Sequence, residues 1–173
     1  KAEDGIRDLV RSRGLGVVYK RQILRSTDGG LSFIDLGEVI PNGVFAFTVT
    51  SSQAVVAADF EGNMFFSPDA GLSWVQSFTT RGQLPTFLSS AAPVFANSTT
   101  GYFGYGAGFV IKTTDGGASW FQISSGTGES LNHVDRFPNG NMIAVGDNGT
   151  LLTGNGLSQW IVLQKFTQFD LKS

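Results

Sequence analysis

The chain has 173 residues, with 12 Lys and Arg, 14 Asp and Glu, and no cysteine. The lack of cysteine excludes disulfides and thiol chemistry, and no apolar stretch approaches the length of a membrane span. A formal net charge of −2 offers no excess of cations for a phosphate backbone, which argues against a nucleic-acid partner.

Residues 1–22 share no feature with the rest of the chain and resemble a translated sequencing-library adapter. The adapter DNA GCA GAA GAC GGC ATA CGA GAT encodes residues 2–8, and the transposon end GTG TAT AAG AGA CAG encodes residues 18–22. The alternative is a basic targeting arm or a helical extension. On the adapter interpretation the sequence is a metagenomic fragment, its parent DNA reads as adapter up to the codon for Ile23, and the natural N-terminus is missing.

The remainder of the chain is acidic. Residues 1–22 hold six of the 12 basic and three of the 14 acidic residues, so 23–173 carries six basic and 11 acidic residues and a net charge of −5. No basic patch remains there, so we expect no nucleic-acid partner for this part of the chain.

An eight-residue phrase recurs along residues 23–173, with the rule Ser/Thr-x-Asp-x-Gly-x-Ser-aromatic. Its rule positions in the three clear copies are Ser26, Asp28, Gly30 and Phe33; Ser67, Asp69, Gly71 and Trp74; and Thr113, Asp115, Gly117 and Trp120. A worn fourth copy has Asn155 in the Asp position and ends at Trp160. The Asp positions are 41, 46 and 40 residues apart, and a period of that size predicts a repeat architecture.

Each repeat contains about four predicted strands. An apolar strand, a glycine-containing tight turn and a second apolar strand occur at 58–67, 104–113 and 145–153. Further apolar runs lie upstream, at 44–49, 92–96 and 131–137. No segment of the repeat region has a sustained helical period, and four strands in roughly 40–45 residues is the unit of a propeller blade.

These features predict an all-β fold, a β-propeller fragment of about three to four four-stranded blades. Residues 23–173 form the partial propeller, with repeats at roughly 23–40, 41–80, 81–126 and 127–166. Because propellers close with about 4–8 blades, we expect an open arc whose ends are covered by the remaining blades of the same ring. The exposed ends predict poor solubility for this fragment alone.

The recurring phrase has a mechanical interpretation. A short Asp carboxylate accepts hydrogen bonds from backbone N–H groups a few residues on, which closes a turn. The glycine of each copy is expected where a side chain is not tolerated, and the aromatic residue is expected to bury against neighbouring structure. The boxes are therefore predicted to be structural.

The phrases resemble the Asp-box, or bacterial neuraminidase (BNR) repeat. A longer pattern, carried best by residues 114–120 and 146–151, is most similar to the photosystem II assembly/stability factor family and its bacterial relatives. The likeness covers nearly all of 23–166 and implies an Asp-box β-propeller. It implies little about activity, because sialidases, xyloglucan-cleaving hydrolases, sortilin-type receptors and assembly factors share the box.

A sialidase-like site would need an arginine cluster, a Tyr–Glu pair and an acid/base Asp, whereas 23–173 offers only Arg25, Arg81 and Arg136. The Arg136-Phe137-Pro138 triplet superficially matches a sialidase motif, but it lies between the third and fourth boxes and is typical of a strand end and turn. The non-box acids are interpreted as structural or solvated; they are Asp35, Glu38, Asp59, Glu61, Glu129, Asp135, Asp147 and Asp170. Asp59 and Asp147 are interpreted as equivalent hairpin-turn residues. We assign no catalytic residue.

His133 is the single histidine, and it lies in a strand expected to line the central channel, so His133 and Arg136 are the possible ligand-face residues. One imidazole without cysteine partners predicts no metal site, and nothing in the sequence predicts a cofactor. The aromatic residues around the third hairpin are expected to pack between blades rather than stack on a sugar; they are Tyr102, Phe103, Tyr105 and Phe109.

The sequence therefore predicts a non-catalytic binding or assembly scaffold that engages a protein or glycan at the face of the ring. The resemblance implies an exported bacterial protein, secreted or periplasmic. The alternative is a fragment of an Asp-box glycoside hydrolase, sialidase-like or xyloglucanase-like, whose catalytic residues lie on other blades.

Overall fold

The computed structural model describes residues 15–19, 22–51, 53–80, 92–154 and 160–165. Apart from two short 3-10 turns, the regular structure of these residues is all β-strand, arranged in four antiparallel sheets. Among the described residues, no helix has the length and apolar character that spanning a membrane requires.

The first sheet has three strands in the order β1-β2-β3. They are β1 (Leu15–Tyr19), β2 (Gln22–Arg25) and β3 (Ile34–Asp35). The first strand falls within the segment that resembles an adapter, and it pairs antiparallel with β2. Strand pairing does not test the origin of this part of the sequence, so the adapter interpretation stays a prediction.

The other three sheets each have four strands, hydrogen-bonded in chain order. The second sheet contains β4 (Val44–Val49), β5 (Val55–Asp59), β6 (Met64–Ser67) and β7 (Val75–Phe78). The third contains β8 (Val94–Phe95), β9 (Gly101–Gly104), β10 (Phe109–Thr113) and β11 (Phe121–Ser124). The fourth contains β12 (Leu131–Arg136), β13 (Met142–Gly146), β14 (Thr150–Gly154) and β15 (Trp160–Lys165). The 3-10 turns, Gly106–Gly108 and Asp147–Gly149, reverse the chain between strands two and three of the last two sheets.

Neighbouring sheets pack face to face through three apolar clusters. The alternation of side chains along β5 explains how one strand serves two of them: Val56 and Ala58 face the third sheet, whereas Ala57 faces the first. Every residue of β5 is buried as a result. Sheets that follow one another in chain order and cover each other's faces are propeller blades, and the predicted all-β propeller fragment is confirmed.

Aromatic side chains fill the spaces between blades. Tyr102, Phe103 and Tyr105 are each no more than 2% exposed, and the rings of Phe103 and Tyr105 meet edge to face at 5.0 Å. The Tyr102 ring meets Trp160 of the fourth sheet at 5.8 Å. The predicted packing role of these three rings is confirmed.

Because each sheet runs up and down in chain order, the connections between strands lie on two opposite faces of the arc. We call the hairpin face the side that carries the turns at 60–63, 105–108 and 147–149, with the links at 36–43 and 125–130. We call the box face the opposite side; its three boxes span 26–33, 67–74 and 113–120. The first strand of the fourth sheet contacts the first strand of the third, as the inner strands of a propeller do around its channel.

Candidate functional site

The first box is a turn closed by its own side chains. The Oδ1 atom of Asp28 accepts hydrogen bonds from the backbone N–H groups of Leu31 at 3.0 Å and Ser32 at 2.9 Å. The Ser26 hydroxyl donates to the same carboxylate and accepts from the N–H of Gly30 at 2.7 Å. These bonds occupy the carboxylate locally, which is the behaviour of a short acidic residue in a turn.

The second and third boxes repeat this bonding. The N–H of Ser73 donates to Asp69 at 2.8 Å, and that of Ser119 donates to Asp115 at 2.9 Å. The two tryptophan indoles then donate to the carbonyls of the box glycines, at 2.9 Å in the second box and 3.1 Å in the third. The Asn155 copy lies outside the described residues, although its Trp160 begins β15.

The box aromatics differ in burial, and the expectation that all three bury was wrong for Phe33. Trp120 is 7% exposed within the cluster between the second and third sheets, and Trp74 is half-buried against the cluster between the first and second. Phe33 is 42% exposed. Trp74 and Trp120 each pack on the preceding sheet, and no sheet precedes the first one among the described residues.

The first two boxes predict a specific acid titration. Hydrogen bonds from the Ser32 hydroxyl and N–H, and from Ser26, lower the pKa of Asp28 from 3.8 to about 2. Hydrogen bonds from the Ser73 hydroxyl and N–H likewise lower the pKa of Asp69 to about 2. A carboxylate with a depressed folded-state pKa stabilises the fold above its unfolded pKa, and that contribution disappears as the pH falls through the folded value. We expect unfolding free energy to fall between about pH 4 and pH 2.

Carboxyl carbon NMR titration measures this directly. Ser32→Ala removes the hydroxyl that bonds to Asp28 and should raise the pKa of that residue while leaving Asp69 unchanged. A midpoint near 4 for both aspartates in the unaltered protein would contradict the turn geometry.

Asp59 and Asp147 were expected at equivalent turn positions, and the strand register shows that this was wrong. Val44 pairs with Asp59, and Leu131 pairs with Gly146, so Asp59 corresponds to Gly146 and lies at the end of a strand. Asp59 is fully buried. Its carboxylate accepts hydrogen bonds from two backbone N–H groups and two amide side chains, those of Asn42 and Asn63. It is therefore a buried structural group.

A tyrosine ties this buried turn to the next blade. The Tyr105 hydroxyl donates to the carbonyl of Gly62 at 2.6 Å. Burial raises the pKa of Tyr105, and the charge of Asp59 raises it further. The hydroxyl therefore keeps its proton and stays a donor between the second and third sheets.

The inner rim of the hairpin face carries a side-chain pair that the sequence did not reveal. The register of β4 shifts between Val44 and Ala46, and that of β12 shifts between Leu131 and His133. Such shifts are β-bulges, which leave one residue out of the ladder and re-aim its side chain.

The extra residue contacts the first residue of the hairpin turn in both blades. In the second sheet, the rings of Phe45 and Phe60 meet edge to face at 5.7 Å. In the fourth, the Asn132 amide donates to Asp147 at 2.7 Å. We call these two contacts the rim pairs. They occupy matching positions with opposite chemistry: two apolar rings in one blade, an amide and a carboxylate in the other.

The links between blades extend this surface. The Asn148 side chain donates to Glu129 at 2.8 Å, and the backbone N–H of Ala107 donates to the Ser130 hydroxyl at 3.3 Å. The hairpin turns of the third and fourth sheets are thus joined by the link at 125–130. Exposed carboxylates and amides line this side of the arc, together with the Phe60 ring.

The two possible ligand-face residues lie apart. His133 is exposed and pairs with Val145, on the sheet face directed away from the third blade. Arg136 pairs with Met142 at the box end of the strand, and its guanidinium donates to the carbonyls of Phe95 at 3.3 Å and Ala96 at 2.7 Å. Arg136 thus links two blades.

The remaining arginines do not join Arg136. Arg25 lies at the end of β2, and its Nε atom is buried without a hydrogen-bond partner, whereas Arg81 lies outside the described residues. Within the described ranges, no group of three or more His, Cys, Asp or Glu side chains is arranged to hold a metal ion.

No protein-family model and no curated protein matches the chain. Among solved structures it is similar to YCF48 bound to a D1 peptide, with a TM-score of 0.63 and 18% identity over 92% of this chain and 52% of that one. It is also similar to an ancestral GH74 enzyme (TM-score 0.63, 16% identity, 90% of this chain and 23% of that one). A third is the GH74 xyloglucanase from Xanthomonas campestris (TM-score 0.61, 16% identity, 85% and 27%).

These likenesses establish a β-propeller fold. The chain spans about half the length of the YCF48 structure and about a quarter of the length of the two GH74 structures. Because the same fold supports a binding protein and glycoside hydrolases, the fold alone does not assign an activity.

Proposed function

We propose that the chain is part of a non-catalytic, exported binding propeller that holds a protein or glycan partner at its hairpin face. The rim pairs carry this proposal. Matching positions hold Phe45 and Phe60 in one blade and Asn132 and Asp147 in another, whereas the boxes on the opposite face repeat the same bonds. A constant frame with variable surface chemistry is how repeat proteins build recognition surfaces.

The solved structures support both kinds of partner. The YCF48 propeller was solved with a D1 peptide bound, which supports a peptide or protein partner for this chain. The GH74 propellers include a xyloglucanase, which supports a glycan. The identity to each is below a fifth, so neither ligand transfers to this chain directly.

The remaining blades of the ring are part of the proposal. Val145 pairs with Leu151 just as Ala58 pairs with Met64. Ala58 is fully buried against the third sheet, whereas Val145 is 41% exposed. The neighbouring apolar side chains Ile161 and Leu163 are 59% and 56% exposed. A further blade of the same propeller would cover this apolar face, as the third sheet covers the second.

The second candidate is an Asp-box glycoside hydrolase, favoured by the likeness to GH74 enzymes. Glycosidases need two carboxylates about 5–10 Å apart that flank the scissile bond. The box aspartates bond within their own turns, and Asp59 is enclosed in its hairpin. On this reading the catalytic carboxylates lie on other blades.

An assay of the full-length gene product separates the two candidates. We expect saturable binding to immobilised peptides or glycans without release of reducing sugar from xyloglucan and without cleavage of a fluorogenic sialoside. Binding should weaken when Asp147 is replaced by alanine and persist when Leu72, which is exposed on the box face, is replaced. Turnover of either substrate, lost on replacing an acid outside 23–173, would establish the hydrolase instead.

A further inference from the structure

The aromatic rim pair is not required by the fold. Phe60 is 58% exposed at the tip of its hairpin. The strand register places Gly106 and Asp147 at the corresponding positions of the next two blades. A position that accepts glycine, aspartate or phenylalanine has no structural need for an aromatic ring. The exposed ring of Phe60 and the half-buried ring of Phe45 beside it therefore form an apolar spot on the hairpin face.

This spot lies in an acidic surrounding. Glu61 follows Phe60 in the turn and is exposed. The described acids of the hairpin face are Glu38, Glu61, Glu129 and Asp147, with Asp59 buried beneath. The cations whose side chains are described lie instead at the box ends of their strands; they are Arg25, Lys112 and Arg136. Like charges on one face create a field that attracts a partner of opposite sign.

We propose that Phe45, Phe60 and Glu61 dock a cationic peptide segment of a protein partner, in which an apolar side chain adjoins Lys or Arg. The inference rests on the proposed function and narrows its partner. The apolar side chain covers the exposed Phe60 ring, and the cation pairs with Glu61 and lies over the ring face. A phenylalanine ring has no polar atom that could bond to a sugar hydroxyl. A neutral glycan would also gain nothing from the negative charges around the ring, so a cationic peptide is the favoured occupant.

The test is a titration of the full-length protein with the fluorescein-labelled peptide GSRWRSG, followed by anisotropy, with GSEWESG as the charge-reversed probe. We expect the arginine peptide to bind at least about tenfold more tightly. Phe60→Ala should weaken its binding about tenfold. Glu61→Gln should weaken it about threefold, an effect that shrinks as salt is added.

Phe121→Ala is the matched control, because Phe121 is 47% exposed on the outer strand β11, away from the rim. The Phe121→Ala protein should bind the arginine peptide with the same affinity as the unaltered protein. Equal affinity for the two peptides, or an arginine peptide that binds Phe60→Ala unchanged, would overturn the inference. Another peptide or a xyloglucan oligosaccharide could instead bind the unaltered protein and Phe60→Ala but not Asp147→Ala. That result would support the binding propeller and contradict only the cationic peptide as its occupant.

Discussion

Replacing Trp120 with alanine should lower the free energy of unfolding by about 3–5 kcal/mol. The indole is 7% exposed and belongs to the cluster between the second and third sheets, with Val56, Met64 and Ile111. It also meets Phe95 edge to face at 6.1 Å. Alanine would remove these contacts and leave a cavity at the junction of two blades.

Phe33→Ala is the matched variant, because Phe33 occupies the same box position and is 42% exposed. It should change the free energy of unfolding by less than about 1 kcal/mol. Urea unfolding followed by far-UV circular dichroism measures both, since it does not depend on the indole that is lost. Similar losses for the two variants would contradict the conclusion that box aromatics act by packing on the preceding blade.

The box turns could be predicted from the sequence because their bonds are local. The bond from Ser73 to Asp69 spans four residues, so the spacing of the phrase already contains the geometry. The hairpin strands could be predicted for the same reason, since glycine and alternating apolar residues act over a few positions. The spacing between copies of the phrase then predicted the size of the repeating unit, which is that of a propeller blade.

What depends on a neighbouring blade could not be predicted. Phe33 and Trp120 have the same local phrase, yet only Trp120 has a preceding sheet to pack against among the described residues. The rim pairs depend on bulges in β4 and β12. A bulge shifts the alternation by one residue, and the sequence alone does not show which residue of β4 or β12 is left out of the ladder.

The two faces of the arc thus differ in how strongly their residues are constrained. On the box face, exchanging the Ser or Asp removes hydrogen bonds that the turn needs, and exchanging the Gly strains a backbone with positive φ. On the hairpin face, the rim positions hold Phe in one blade and Asn and Asp in another, and Phe60, Asn132 and Asp147 are exposed. Binding specificity can change there without a change in the frame.

Gly117→Ala should destabilise the protein by about 2–4 kcal/mol, whereas Gly30→Ala should cost only about 1 kcal/mol. Both glycines have positive φ, +101° for Gly117 and +91° for Gly30, so alanine strains the backbone at each. A Cβ at Gly117 would also overlap the Val56 side chain of the preceding blade, whereas one at Gly30 would find only the Phe33 ring, at 3.9 Å. The difference between the two variants therefore measures the close approach of two blades.

A double-mutant cycle with Val56→Ala locates that cost. Removing the Val56 methyl groups opens the space that the new Cβ would occupy. Gly117→Ala should therefore be less damaging in the Val56→Ala background, with a coupling energy of about 1–2 kcal/mol. Chemical denaturation of the four proteins gives the coupling. Strictly additive losses would show that Gly117 is needed for its backbone conformation alone, and that the box does not set the distance between blades.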